Sequence, residues 1–273
     1  LTARAPGVWA APDRVGPGRA DRLARVELTH IPAGQAAGPR TAVVWSVLRH
    51  ELDRQPDRRL TVVDVGGGTG GFAVPLAEAG HQVTVVDASP DALAALTRRA
   101  ADAGVGDRIT AAQGDGDALG ELIAPASADL VLCHAVLEVV DEPARVVESL
   151  ATVLRPGGAA SVLVAGRAAA VLARAVNGHL DLAAALLADP QGAAGARDTL
   201  RRRYDADRAI DLLAAAGLRV EQIHGVRVLS DLLPAAVAEG DPQALLALEL
   251  AVAAQPPYRD LATQLHLFAR RPL

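Results

Sequence analysis

The run Val63-Asp64-Val65-Gly66-Gly67-Gly68-Thr69-Gly70-Gly71 sets a carboxylate two residues ahead of a string of glycines, at the end of a β-branched stretch. Glycines at a strand-to-helix turn remove Cβ atoms, so the backbone bends sharply and a ligand can lie directly on it. Asp64 can anchor that loop or hold a ligand's amino group through water. Asp87 ends the next apolar run, where a carboxylate can accept both ribose hydroxyls of an adenosine. After a third run, Gln113-Gly114-Asp115-Gly116-Asp117 offers acidic side chains and open backbone to an adenine amino group. Each aspartate also has an ordinary role as a loop or cap residue, and the glycine string one as a tight turn. Their placement after three successive apolar runs points to an adenosine-containing ligand. Asp64, Gly66, Gly67, Gly68, Gly70, Asp87, Asp115, Gly116 and Asp117 are the expected contacts.

His134 closes a fourth apolar run, where it can meet the cofactor or act as a general base. His134 and Glu138 stand four apart, a spacing that suits a metal on a helix, but no third ligand is apparent and no metal is predicted. Cys133 lies within the same apolar run and reads as a buried thiol rather than a nucleophile. The glycine string also satisfies G-x-G-x-x-G at Gly66, Gly68 and Gly71, so a nicotinamide-dependent oxidoreductase is the competing reading of the loop alone.

The elements needed to position these residues follow from periodicity. Apolar positions Val43, Val44, Val47, Leu48 and Leu52 recur at helical spacing over 40–54. Buried strands are predicted at 60–65, 83–86, 109–113, 130–134 and 159–164. Between them fall helices at 72–78 (Pro75 confined to the first turn), from Ser89-Pro90 to 102, and at 143–154, the last stopped by Arg155-Pro156-Gly157-Gly158. Strands alternating with helices imply a Rossmann-like, doubly wound α/β fold with a mostly parallel sheet. Beyond Val164 an Ala-rich helical stretch runs to about 187, followed by a loop over 188–203, a helix at 207–216 and a strand near 218–228. A further helix spans 241–254, and the alternation at 265–270 predicts an antiparallel last strand. The domain is thus expected over 40–273 with a helical insertion at about 166–205, preceded by a loosely ordered arm at 1–39.

The balance of residues agrees with a globular protein: 51% hydrophobic against 22% charged. With aromatics at 2%, the core has to be built from Ala, Val and Leu. A single Cys excludes an internal disulfide framework and suggests a reducing compartment. No apolar run reaches the roughly 18–20 residues of a membrane helix, and the N-terminal stretch lacks an apolar signal core, so a cytoplasmic, non-membrane protein is expected. The formal net charge of −5 disfavours nucleic acid on average while leaving room for a local basic patch.

Arg155-Pro156-Gly157-Gly158 before the fifth strand resembles the turn habitual in class I S-adenosyl-L-methionine (SAM) methyltransferases. The string Cys133-His134-Ala135-Val136-Leu137-Glu138-Val139-Val140, with Asp141-Glu142-Pro143 after it, resembles the tRNA 5-carboxymethoxyuridine methyltransferase family. The likeness extends to Arg40-Thr41-Ala42-Val43-Val44-Trp45, Val176-Asn177-Gly178-His179-Leu180-Asp181, Gly225-Val226-Arg227-Val228, Leu248-Glu249-Leu250 and Pro257-Tyr258. It implies SAM as cofactor, held by Arg40, Gly66, Gly67, Asp87, Gly116, Asp117 and His134, with Arg40 suited to the methionine carboxylate. It also implies methyl esterification of the carboxylate on a modified wobble uridine. That carboxylate is already ionised near neutrality and asks for no general base.

For the acceptor, Arg227 is the candidate partner of the substrate carboxylate, and Arg201, Arg202 and Arg203 the candidate phosphate contacts. The chain departs from the family in this region: a Lys-rich stretch there is replaced by 194–203, with Arg197 and these three arginines as its cations. A small-molecule carboxyl or hydroxyl methyltransferase therefore stands as the alternative, with a non-enzymatic SAM-binding protein and the oxidoreductase further behind. The expected partner is tRNA or a small-molecule carboxylate.

Overall fold

The computed structural model describes residues 41–54, 58–193, 195 and 198–273. The expected 1–39 arm, Arg40 and Arg197 lie outside the described residues. Seven strands form one sheet: β1 Thr61–Val65, β2 Gln82–Asp87, β3 Ile109–Gln113, β4 Ala128–His134, β5 Leu154–Ala165, β6 Arg219–Val226 and β7 Gln264–Arg270. Their spatial order is β3-β2-β1-β4-β5-β7-β6, and β7 runs antiparallel to both neighbours. The chain winds outward from β1 to β3, then returns to lay β4 on the other side of β1. The crevice between β1 and β4 is therefore the topological switch point, where open α/β sheets bind ligands at the carboxyl ends of their strands.

Helices cover both faces, which is why the strands read as continuous apolar runs. On one side Val63, Val65, Val131 and Cys133 meet α4 (Pro143–Val153) and α7 (Ala206–Ala215). On the other, Val62, Leu130 and Leu132 meet α1 (Ala42–Asp53), α2 (Ala73–Glu78) and α3 (Pro90–Asp102). Ser89 caps α3 by accepting from the Ala92 N–H at 3.2 Å, with Pro90 at the first helical position. Each fully buried Leu or Val on these faces contributes on the order of 1.5–3 kcal/mol. Arg270 ties the ends of the domain together, reaching Glu51 of α1 at 2.8 Å and Glu221 of β6 at 3.0 Å.

Two expectations change in detail. Arg155-Pro156-Gly157-Gly158 does not precede strand five but lies inside it, since β5 begins at Leu154 and pairs Leu154 with Ala128. Gly157 takes φ +77°, which lets the backbone bulge and resume pairing at Ala159 instead of turning away. The Ala-rich stretch is broken at Asn177 and Gly178 into α5 (Arg167–Val176) and α6 (Leu180–Ala188). After α6 the chain returns at Tyr204, whose N–H bonds to the Ala165 carbonyl at 2.9 Å. Two more helices, α8 (Ala235–Gly240) and α9 (Pro242–Val252), precede β7. Of these two, α9 matches the helix expected at 241–254 and α8 has no counterpart among the expected elements.

Candidate active site

The glycine loop leaves β1 at the crevice. A Cβ on Gly67 would stand 2.6 Å from the Asp64 carboxyl carbon and 2.9 Å from Val85, so only glycine lets the loop lie this close to the strand ends. Gly66, Gly68 and Gly70 all take positive φ, which shapes the turn. Asp87 fastens the loop: one carboxylate oxygen accepts from the Gly68 N–H at 2.9 Å, the other from the Ser89 N–H at 2.9 Å. Each oxygen retains a lone pair, so the carboxylate can still accept ribose hydroxyls.

Asp64 is buried, and its Oδ2 has no hydrogen-bond partner. Burial, with the Asp87 charge adding to it, pushes its pKa up to about 7. An orphaned carboxylate oxygen beneath a glycine loop is an acceptor that an ammonium group of a ligand would satisfy by donating to it, and it fits SAM. Asp115 and Asp117 are exposed at the end of β3, beside Asp87, where the Gly114 N–H bonds to the Asp87 carbonyl at 3.2 Å. Gly116 opens the short 3-10 helix Gly116–Glu121, seated by the buried Leu119.

His134 ends β4 next to this loop, its ring edge-on to Phe72 with centroids 4.6 Å apart. Burial drives its pKa down to about 4, so the imidazole is neutral at physiological pH. It is bonded within the protein: Nε2 lies 2.9 Å from Ser161 Oγ, while Nδ1 is buried without a partner. The next residue, Ala135, takes φ +58° and turns the chain into the segment carrying Glu138. Glu138 is buried; backbone N–H groups of Glu138 and Ala165 reach its carboxylate, and burial raises its pKa despite Arg202 and Arg203 nearby. Its Oε2 is buried without a partner. Among the described residues no group of three or more His, Cys, Asp or Glu could hold a metal.

On the acceptor side Arg227 follows β6 directly. The register Ala165–Gln264–Val226 places it at the same end of the sheet as the crevice. Its φ of +61° costs on the order of 1–3 kcal/mol for a non-glycine residue. Buried Glu249 holds this bend, accepting from the N–H groups of Val228, Leu229 and Ser230 at 2.7–3.0 Å. Arg227 pairs with Asp231 at 2.5 Å, and its buried Nε has no partner.

The expected cationic cluster is corrected in part. Arg203 is buried and bound to Asp198 at 2.5 Å and to the Gly192 carbonyl at 2.9 Å. Arg202 points its guanidinium at the carbonyls of Leu137, Val140 and Asp141. Arg202 clamps the 188–203 loop onto the segment after β4, and Arg203 ties that loop to itself, because carbonyls and Asp198 outcompete water for them. Arg201 pairs with Asp141 and stays exposed. Reading by residue type missed this clamp, and with it Tyr204, whose hydroxyl donates to the Leu137 carbonyl at 3.2 Å. No local signal distinguishes an inward from an outward arginine.

The strand order, the antiparallel β7 and the aspartate-flanked glycine loop define the class I SAM-dependent methyltransferase fold. Comparison with known proteins bears on its family. Residues 63–162 match the methyltransferase domain family. The tRNA 5-carboxymethoxyuridine methyltransferase of Escherichia coli K12 is 34% identical over 240 residues, covering 85% of this chain and 88% of that protein. The chain belongs to that methyltransferase family, and its methyl donor is SAM. A ubiquinone biosynthesis O-methyltransferase of Xylella fastidiosa is 34% identical over 176 residues, 64% of this chain and 67% of that one. A SAM-dependent methyltransferase of Mesorhizobium loti shares the fold with TM-score 0.57 at 23% identity, over 86% of this chain and all of that one. A [4+2]-cyclase shares it equally, with TM-score 0.57 at 20% identity over 85% of this chain and 82% of that one, so the fold alone does not name the reaction. Among the described residues no helix is long and apolar enough to cross a membrane.

Proposed function

We propose that this enzyme methyl-esterifies the carboxylate of 5-carboxymethoxyuridine in the wobble position of tRNA, in the cytoplasm. The observation that carries the acceptor is the reach of the likeness: 240 aligned residues against a methyltransferase core of 63–162. The similarity thus extends well into the regions that contribute the acceptor side. In this reading 40–273 is one domain, and the insertion at about 166–205 belongs to the acceptor side.

The cofactor contacts proposed are Arg40, Asp64, the loop glycines Gly66, Gly67, Gly68 and Gly70, Asp87, Asp115, Gly116, Asp117 and His134. SAM, when bound, supplies an electrophilic methyl group on sulfonium. The residues of the chain align and shield the acceptor. Its carboxylate is ionised, so orientation and exclusion of water carry the rate. Arg227, with a guanidinium at the sheet end and an unpaired Nε, is the proposed clamp on that carboxylate. Arg201 is proposed as a phosphate contact.

A specific observation supports the small-molecule alternative. Leu172, Val176, Leu180 and Leu187 of α5 and α6 are exposed where an RNA-facing surface would carry cations. The deciding experiment is mass spectrometry of tRNA from a strain lacking the gene. Loss of the methyl ester at the wobble uridine is expected. An unchanged ester, with purified enzyme showing no salt-dependent tRNA binding, would leave the small-molecule methyltransferase.

A further inference from the structure

His134, His266 and His224 lie in one row across the sheet. The register runs His134–Leu163 between β4 and β5, Leu163–His266 between β5 and β7, and His266–His224 between β7 and β6. Residues in register share a face, and Ser161, two residues before Leu163, lies on that face too. Ser161 Oγ is 2.9 Å from His134 Nε2 and 2.8 Å from His266 Nε2. The His224 ring stacks on His266 with centroids 6.1 Å apart. Neither the cofactor contacts nor the acceptor side uses Ser161, His266 or His224. A serine and a histidine inside otherwise apolar strands need a reason.

Proton accounting supplies one. All three imidazoles are neutral, since burial lowers each pKa, with the Arg259 charge assisting at His224. A neutral imidazole carries one N–H, and the Ser161 hydroxyl has one proton to give. Both rings meet Ser161 through Nε2, so Ser161 accepts from one and donates to the other. The ring that receives must carry its own proton on Nδ1. Nδ1 of both His134 and His266 is buried and unpartnered, so one of them is an orphan donor in the protein alone.

The two choices are not equal. His266 is wholly buried between strands and the His224 ring, where an orphan N–H would never find an acceptor. Buried orphan N–H groups are rarer than orphan acceptors. His134 alone of the three keeps part of its surface open, at the carboxyl end of β4 beside Phe72 and the glycine loop.

We propose that Ser161 and His266 are positioning residues that hold His134 with its proton on Nδ1, so that it presents a hydrogen-bond donor to an acceptor atom of the bound ligand. His266 donates Nε2–H to Ser161, and Ser161 donates Oγ–H to His134 Nε2. The ligand atom at His134 is then an oxygen or an unprotonated nitrogen, never an ammonium. This deepens the assignment of His134 as a cofactor contact and rests on it.

Imidazole tautomers can be read directly by long-range proton–nitrogen correlation on the ¹⁵N-histidine-labelled full chain, with each ring assigned from its own His→Gln variant. Wild type should show His134 protonated on Nδ1 and His266 on Nε2, with or without ligand. Ser161→Ala should release His134 to a mixture and weaken S-adenosylhomocysteine binding about tenfold, the loss of one hydrogen bond. Ser161→Thr, which keeps the hydroxyl and suits a strand, should restore both the tautomer and the affinity. A proton on Nδ1 of His266, or a His134 tautomer unmoved by Ser161→Ala, overturns the proposal. Should wild type show the stated tautomers yet bind no S-adenosylhomocysteine, the lock stands and the cofactor assignment falls.

Discussion

Along β1, β2 and β4 the crevice leaves Asp64 Oδ2 and His134 Nδ1 buried without protein partners. Beyond β5, by contrast, Arg167, Arg202 and Arg203 direct their guanidinium groups at Asp205, at backbone carbonyls and at Asp198. The first region is built around groups that a ligand must complete. The second pairs most of its guanidinium nitrogens within the protein, although Nε of Arg167 and of Arg227 stays unpartnered and Arg201 is exposed. An unsatisfied buried group costs free energy until its ligand arrives, so such groups mark a site tuned to one constant molecule. A self-satisfied surface carries little information about what approaches it. The cofactor is accordingly far better specified by this chain than the acceptor.

The sharpest way to break the comparison is to remove a supposedly self-satisfied cation. Arg203→Ala should destabilise the fold by about 3–5 kcal/mol by taking the guanidinium away from the buried Asp198 carboxylate, measured as a shift in the urea unfolding curve. A change near zero, together with lost acceptor binding, would instead make Arg203 a ligand contact. Next in size is Asp87→Ala. Two charge-assisted ribose bonds of roughly 1.5–3 kcal/mol each, not strictly additive, imply weaker S-adenosylhomocysteine binding by about a hundredfold. The Gly68 and Ser89 N–H groups lose their partner as well. Calorimetry returning the wild-type affinity would place the ribose elsewhere.

Asp64 gives a pH signature. Its pKa is raised from 3.8 to about 7 in the folded protein, so the folded state keeps a proton that the unfolded chain has released across that window. Stability from this group is thus lost as pH rises from about 4 to 7, by at most roughly 1.4 kcal/mol per pH unit. Asp64→Asn should abolish that slope, and the difference between the two unfolding free energies should widen with pH. Parallel pH profiles for the two proteins would mean that Asp64 is ionised and solvated in the folded state. The smallest effect belongs to Arg201→Ala. An exposed ion pair with Asp141 contributes about 0–1 kcal/mol, so stability should barely move. Loss of one phosphate contact should flatten the slope of log affinity for tRNA against log salt by about one. An unchanged slope would remove Arg201 from the acceptor surface.

Much of this molecule is local, and local features are legible. The glycine loop, the Ser89-Pro90 cap and the apolar runs of β1 to β5 depend on spacing and on residue-intrinsic geometry, so their elements can be placed to within a few residues. The antiparallel β7 showed itself through alternation at 265–270, although the same alternation hid the meaning of His266, a polar residue on a buried face. Arg155–Gly158 shows the limit of local reading. Its glycines signal a bend, but whether the chain turns or bulges depends on the pairing of Leu154 with Ala128 across the sheet.

Chain order and residue type by themselves determined the doubly wound sheet, the glycine loop and the carboxylates proposed to meet an adenosine, while the strand order placed them at a switch-point crevice. Only tertiary structure decided which charges are still available. Four arginines divide into one half-buried clamp at Arg202, one buried tie within its own loop at Arg203, one exposed pair at Arg201 and, at Arg227, one residue in a left-handed turn held by Glu249. The reason is that a guanidinium's role depends on what lies within about 3 Å of it after folding; for Arg201 and Arg202 those partners stand 60 or more residues away in the chain, and for Arg203 the loop has to close on itself before Asp198 and Gly192 come within reach.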